Sequence, residues 1–529
     1  RHTNEKIKKR HERLIQWQST GEPAFGWEPT PDEDGLEQLV LRLNAWIETQ
    51  DFSASWSPDP LLDSLSKVER ASIDYSQLTS TRFTAEDGRL LQEAVWLRDI
   101  ARHAVTATVP LEQAFELFDW TVRNIQLEAD DAMGGVRQRP WQTLISGRGT
   151  AAERAWVFVL LARQRGFHAV VLSIGKDAAH SPRALVAVDI GDQAYLFDTE
   201  LGLPIPKAKG NGIATLAEAK TDPKVFGQLS LDAAAYAQKS EDISAAVALV
   251  EASPLYLSQR AERLERQLAG RDRVVLTVAP SRVAAAFRKH VSEVRIWDIS
   301  AQTRRAQQVY SPETRALLAD QFHAYAIVPH LWKARVLFFR GDDHVLQLDY
   351  ADRLVRTYSR YHDPRVYLLY DQVRPSEKLL ETLRGSPTVA GSLRFSKRNA
   401  NYWLGLLAYA DGDYRVAIDY LAQRTLTSAD NPWTSGARYN LARTHEQLAR
   451  LWRQRRKAPP IAWPTSTLPA AAVSGRFSLD KLPSAEEMQR REASELAAAV
   501  KLYNEDNGPG RLGSQLRAKW LTATQSADP

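Results

Sequence analysis

The chain has no cysteine, which removes a thiolate nucleophile, a thiolate zinc site and a disulfide scaffold from consideration. Its 11 histidines are scattered. No His-Glu-x-x-His or His-x-His pattern aligns two of them on one face, so a catalytic zinc has no support. Asp342-Asp343-His344 carries metal-ligand side chains but reads as a polar hairpin turn. Asp130-Asp131 reads as a solvated loop. Ser64-x-x-Lys67 and Ser478-x-x-Lys481 spell the serine–lysine pattern of penicillin-binding enzymes without its partner motifs. No phosphate-loop pattern Gly-x-x-x-x-Gly-Lys-Ser/Thr occurs. No metal and no cofactor are expected.

Chemistry-bearing residues concentrate in 141–206. Gly147-Arg148-Gly149-Thr150-Ala151-Ala152-Glu153-Arg154-Ala155 opens an apolar helix over 151–165, and Leu160-Leu161-Ala162-Arg163-Gln164-Arg165-Gly166 closes it. Gly166 is a C-terminal stop signal. Thr150-x-x-Glu153 spells a capping box, in which the hydroxyl is occupied by helix amides. Strands are predicted over 169–174, 184–190 and 194–197. Gly191-Asp192 is a two-residue hairpin signal between the last two.

This order resembles the transglutaminase-like superfamily, the papain-related group of acyl-transfer enzymes and their relatives. Typical members carry Gly-x-Gly-x-Cys before a helix and Leu-Leu-Arg-x-x-Gly at its end. A His-Ala-Trp-like strand follows, then a strand ending in Asp. The resemblance covers about 100 of 529 residues. It implies a thiolate at the first turn of a helix, stabilised by the positive end of the macrodipole. It also implies a His base that an Asp orients.

Carried over residue by residue, the nucleophile position falls on Ala151, the His position on Arg183, and the Asp on Asp198. Alanine has no nucleophile, and a guanidinium stays protonated and cannot act as a base. His180 lies three residues before Arg183 but would still lack a nucleophile. An engineered Cys-to-Ala change would account for Ala151 and leave Arg183 unexplained. The resemblance thus implies a pseudoenzyme with a vestigial triad. Arg183 and Asp198 are expected to form an ion pair across adjacent strands. Trp141, Arg148, Thr150 and His180 are expected to line the old cleft. Leu201-Gly202-Leu203-Pro204-Ile205-Pro206 is expected to stiffen its rim.

The elements that must hold this stretch are helical before it and mixed after it. Residues 1–105 read as a helical N-terminal region, with helices over 36–47 and 90–104. Ser57-Pro58 and Asp59-Pro60 break the pattern between them. The transglutaminase-like segment, 106–225, begins with a helix over 111–122 and includes a loop over 137–149. Residues 226–395 read as mixed α/β: helices over 231–268, strands over 274–278 and 294–299, and a hairpin pairing 336–339 with 345–348.

Within 396–450, Tyr402-Trp403-Leu404-Gly405, Gly412-Asp413-Tyr414 and Ala417-Ile418 resemble a tetratricopeptide repeat. Tyr439-Asn440-Leu441-Ala442 repeats the first pattern, with Ala442 lying 37 residues after Gly405. Residues 451–483 read as a linker, and 484–529 as a C-terminal helix and tail opened by Ser484-Ala485-Glu486-Glu487. The expected fold class is α+β multidomain.

Length and composition fit that organisation. At roughly 150 residues per domain, 529 residues suggest three or four domains. The chain is 44% apolar and 25% charged, which excludes disordered and fibrous classes. A net charge of +5 is mild for this surface, and no nucleic-acid partner is expected. Arg450, Arg453, Arg455, Arg456 and Lys457 read as a solvated helix end. Lys6 to Arg13 is interleaved with Glu5 and Glu12 and reads as an exposed helix. Fifteen Trp suit either core packing or protein–protein contacts.

The reading favours a non-enzymatic binding or scaffold protein with a protein or peptide partner. Trp403, Tyr409 and Tyr439 are the expected interaction surface. A structural subunit of a larger homo- or hetero-oligomeric assembly is one alternative. A hydrolase or acyltransferase using other residues is the other. Cysteine avoidance suits the periplasm or cell envelope, with a membrane anchor ahead of Arg1 compatible with the sequence; a cytoplasmic location stays open.

Overall fold

The structure, a computed structural model, describes residues 33–50, 56–65, 70, 75–131, 136–174, 185–209, 211–231, 236, 238–297, 299–350, 353–362, 364–383, 387–427, 431–457 and 483–527. The fold is α+β, with helical regions at both ends, and the chain divides into two compact units, Arg1–Trp332 and Lys333–Pro529. The boundary falls inside the segment expected to be one mixed α/β region. Arg183, His180 and the basic segment Lys6 to Arg13 lie outside the described residues.

The first unit begins with α1 (Glu33–Ile47) and α2 (Ala85–Ala104), the latter opened by a Thr84–Asp87 capping box. Leu43 and Ile47 pack on Phe83 and Ala94 to join them. Helix α3 (Pro110–Asn124) starts at a proline, whose fixed φ and missing N–H cost nothing at a first turn. The short strands β1 (Gln126–Leu127) and β2 (Arg148–Gly149) pair in parallel. Between them the expected loop over 137–149 contains a helix, α4 (Pro140–Ser146). Pro140 sits in its first turn, the Gln142 side chain accepts from the Arg139 amide at 2.7 Å, and Gly147 ends it at φ 66°.

Helix α5 (Ala151–Gln164) is buried on nearly every side, as its apolar run requires. It packs on a six-stranded sheet of β3 (His168–Ser173), β4 (Leu185–Ile190), β5 (Gln193–Asp198), β6 (Leu203–Pro204), β7 (Val247–Glu251) and β8 (Glu293–Trp297). The order is β6-β5-β4-β3-β7-β8, antiparallel except for the parallel β7–β8 pair. Ile190 pairs with Gln193 across Gly191-Asp192, both at positive φ (57° and 64°), as a type I′ hairpin turn demands.

Three expectations after 225 are corrected. The helical reading of 231–268 misses β7, a short Val-Ala-Leu-Val run whose periodicity suits either state. Helix α6 (Gln259–Gln267) follows it. Residues 274–278 form no strand. Side chains take their amides: Gln164 Oε1 accepts from Val275 at 3.1 Å, and Glu265 Oε2 from Leu276 at 2.7 Å. Residues 336–339 are the end of a helix (Pro329–Phe339), so the hairpin runs instead between β9 (Gly341–Tyr350) and β10 (Arg353–His362).

In the second unit, α7 (Pro364–Gln372), α8 (Pro387–Ala410) and α9 (Tyr414–Ile418) precede the long helices α10 (Thr434–Lys457), α11 (Ala485–Asn504) and α12 (Arg511–Ala527). A Cβ on Gly405 would lie 2.7 Å from Leu421, so glycine is what lets α8 approach the segment after α9. The expected linker over 451–483 starts late: 451–457 complete α10. Ser484 accepts from the Glu487 amide and caps α11. Gly508-x-Gly510-x-x-Gly513 spells a dinucleotide-type pattern, yet it joins two helices with no preceding strand. A Cβ on Gly508 would strike the Ser435 side chain.

Candidate functional site

The site is built where the N-terminus of α5 meets the C-terminal end of β5. Phe118 of α3, Phe158 of α5 and Phe197 of β5 form a triangle with centroids 5.2–5.3 Å apart, which fixes the three elements around one aromatic centre. The capping box forms: Glu153 Oε2 accepts from the Thr150 amide at 2.8 Å, and Thr150 Oγ1 accepts from the Glu153 amide at 3.3 Å. Glu153 Oε1 also accepts from the Gln138 amide. Burial raises the Glu153 carboxyl to about 7, with the amide hydrogen bonds from Gln138 and Thr150 opposing.

The two glycines of the Gly-x-Gly pattern have separate reasons. Gly147 holds the left-handed turn that ends α4, and Gly149 lies so close to Thr143 that a Cβ would meet its methyl at 3.0 Å. Ala151 opens α5, half-buried. Its carbonyl accepts from Thr199 Oγ1 at 2.8 Å, which ties the helix start to the residue after Asp198.

Asp198 ends β5 and is 5% exposed. Oδ1 accepts from the Glu200 amide at 2.9 Å and the Leu201 amide at 2.8 Å; Oδ2 accepts from the Tyr236 hydroxyl at 2.6 Å. Burial raises its carboxyl to about 6, the Tyr236 and Leu201 hydrogen bonds opposing. Tyr236 stacks on Phe226 at 5.7 Å, which holds its hydroxyl in place. Nothing in the sequence near 198 flagged Tyr236, 38 positions away.

Arg154 was also missed. It is buried and donates to the carbonyls of Ile125 (2.8 Å from Nε), Thr199 (3.2 Å) and Val122 (3.3 Å). One guanidinium thus closes the C-terminal end of α3 against the loop after β5. That loop turns at Gly202 (φ 65°), where a Cβ would lie 2.8 Å from Val122.

The expected cleft residues fare differently. Thr150 is the cap described above. Arg148 pairs with Glu128 at 2.6 Å. Trp141 is corrected: at 3% exposure it is core, 5.3 Å from Phe322 and beneath the Arg89 guanidinium at 4.8 Å. The Arg183–Asp198 pair and His180 fall outside the described residues.

Of the expected interaction surface, Trp403 and Tyr409 are buried and Tyr439 is half-buried. Trp403 is fully buried between Tyr370 and Trp433, each 5.9 Å away. Tyr409 packs edge-on against Tyr414 at 5.5 Å, and half-buried Tyr439 against Tyr503 at 5.9 Å. At Trp403 and Tyr409 the helical spacing serves the core. Among the described residues, no three His, Asp or Glu side chains converge as metal ligands, and no helix is long and apolar enough to cross a membrane.

A transglutaminase-like superfamily domain is found at residues 98–187. The match contains α3, α4, α5, β3 and the start of β4, the framework on which Ala151 is presented. No curated protein and no solved structure matches the chain.

Proposed function

We propose that the transglutaminase-like domain is catalytically inert and that the protein is a binding or scaffold component. The observation that carries this is the state of the two triad positions in view. Ala151 presents a methyl group where the family's nucleophile stands. The Asp198 carboxylate accepts from Tyr236 and from the turn amides of Glu200 and Leu201. Among the described residues its partners are therefore those of a loop-organising acid. The Thr150 hydroxyl is committed to the cap of α5.

The helices from α8 to α10 supply the second part of the reading, a tetratricopeptide-like unit. Gly405 and Ala417 sit at the close crossing such a unit needs, and Gly412 turns at φ 78° between helices. The cell envelope is the compartment that the cysteine-free composition favours.

The test is stoichiometric co-purification of one protein or peptide partner with the native chain from envelope extract, verified by sedimentation of the reconstituted pair. Recovery of the pair supports a scaffold. A chain that sediments alone and releases ammonia from glutamine peptides would overturn it.

A further inference from the structure

The basic cluster that closes α10 is more than a helix end shielding its own dipole. Arg453 and Arg456 both bind Glu492 of α11, at 2.6 and 3.2 Å. On α11, Arg491 and Arg490 share Glu487, at 2.7 and 3.6 Å. The remaining cations of the last two turns of α10, Arg450, Arg455 and Lys457, are exposed and make no ion pair among the described residues. Two helix ends thus bring seven cations together with three carboxylates, those of Glu486, Glu487 and Glu492. The half-charge of one helix terminus accounts for little of that surplus.

Trp452 fixes the arrangement. It is buried between the guanidinium of Arg455 at 5.3 Å and that of Arg491 at 4.9 Å, so both cations are held over one ring. Next to them Leu451 stands in solvent, 37% exposed. Cations spread along two helix ends around one exposed apolar side chain, and the described aromatic among them, Trp452, is taken by Arg455 and Arg491. A flat anionic surface that takes a lysine–arginine array and a leucine together is the headgroup layer of an anionic bilayer.

We propose that the tip formed by the C-terminal end of α10 and the N-terminal turns of α11 docks the protein on anionic phospholipid headgroups. The full chain is sedimented with phosphatidylcholine vesicles, with or without phosphatidylglycerol, at low and high salt. Binding is expected only with phosphatidylglycerol, and high salt is expected to weaken it, because exposed charges are screened over about 10 Å or less. The triple variant Arg450→Gln, Arg455→Gln, Lys457→Gln is expected to bind about a hundredfold more weakly, at about fivefold per charge removed.

Arg42→Gln, Arg82→Gln, Lys224→Gln removes the same net charge from exposed positions elsewhere and is expected to bind like the parent. Equal loss in both triple variants, or no binding by the parent, would overturn the proposal. So would retention of heparin or a soluble acidic peptide without vesicle binding, which reassigns the tip to a soluble polyanion. Unchanged melting of the α10 variant shows that any loss is not unfolding.

Discussion

The Tyr236 hydroxyl donates to Asp198 Oδ2 at 2.6 Å, while Asp198 Oδ1 gathers the amides of Glu200 and Leu201. This acid is the hub of a turn. Tyr236→Phe is expected to lower stability by about 1.5 to 3 kcal/mol, the net worth of a hydrogen bond to a charged group. Asp198→Ala is expected to cost more, because it strips three donors at once. Denaturant titration of the two variants checks the order.

Three buried acids make stability fall with rising pH. Burial raises Asp198 to about 6, and Glu93 and Glu153 to about 7. Between the ordinary carboxyl range and these values the folded chain holds protons that the unfolded chain has released. The stabilisation is therefore complete below about pH 4 and lost as pH rises through 6 to 7. The contribution of these groups predicts a higher urea midpoint at pH 5 than at pH 8. Glu93→Gln is expected to flatten the upper part of that fall. A midpoint that climbs steadily from pH 5 to 8, with no flattening in the variant, would contradict it.

Arg154 caps three carbonyls from two elements. Arg154→Met keeps the volume of the stem and leaves those acceptors unmet, at a cost of about 3 kcal/mol. Arg154→Lys is expected to recover only part of that, since an ammonium cannot reproduce the planar fork. Thermal unfolding of the two variants ranks them.

Two glycines should resist substitution for different reasons. Gly202→Ala meets both a left-handed φ and Val122, and is expected to cost about 2 to 3 kcal/mol. Gly405→Ala meets only the Leu421 side chain, and is expected to cost about 1 to 2 kcal/mol through overpacking. Differential scanning calorimetry distinguishes them, because the first affects Arg1–Trp332 and the second Lys333–Pro529.

Local signals in the sequence carried over well. The Thr150–Glu153 cap, the Gly191-Asp192 hairpin and the apolar helix ending before Gly166 are each set by neighbours within a few residues, and each is present. What was illegible depends on distant partners. Tyr236 and Arg154 show their roles only once β5 and α3 are folded beside them. Trp141 and Trp403 look alike as surface anchors or core residues until burial is known, and both are core. Residues 274–278 have strand composition, but Gln164 and Glu265 satisfy their amides in place of a neighbouring strand.

We propose that the domain carrying Ala151 and Asp198 performs no acyl transfer. The direct measurement is incubation of the native chain with a glutamine peptide and a primary amine, read by mass spectrometry for released ammonia, hydrolysed peptide and amine adduct. Product is expected at the level of a protein-free blank. Turnover that rises with protein concentration, and that Thr150→Val or Asp198→Asn abolishes in chains still folded by circular dichroism, would contradict it.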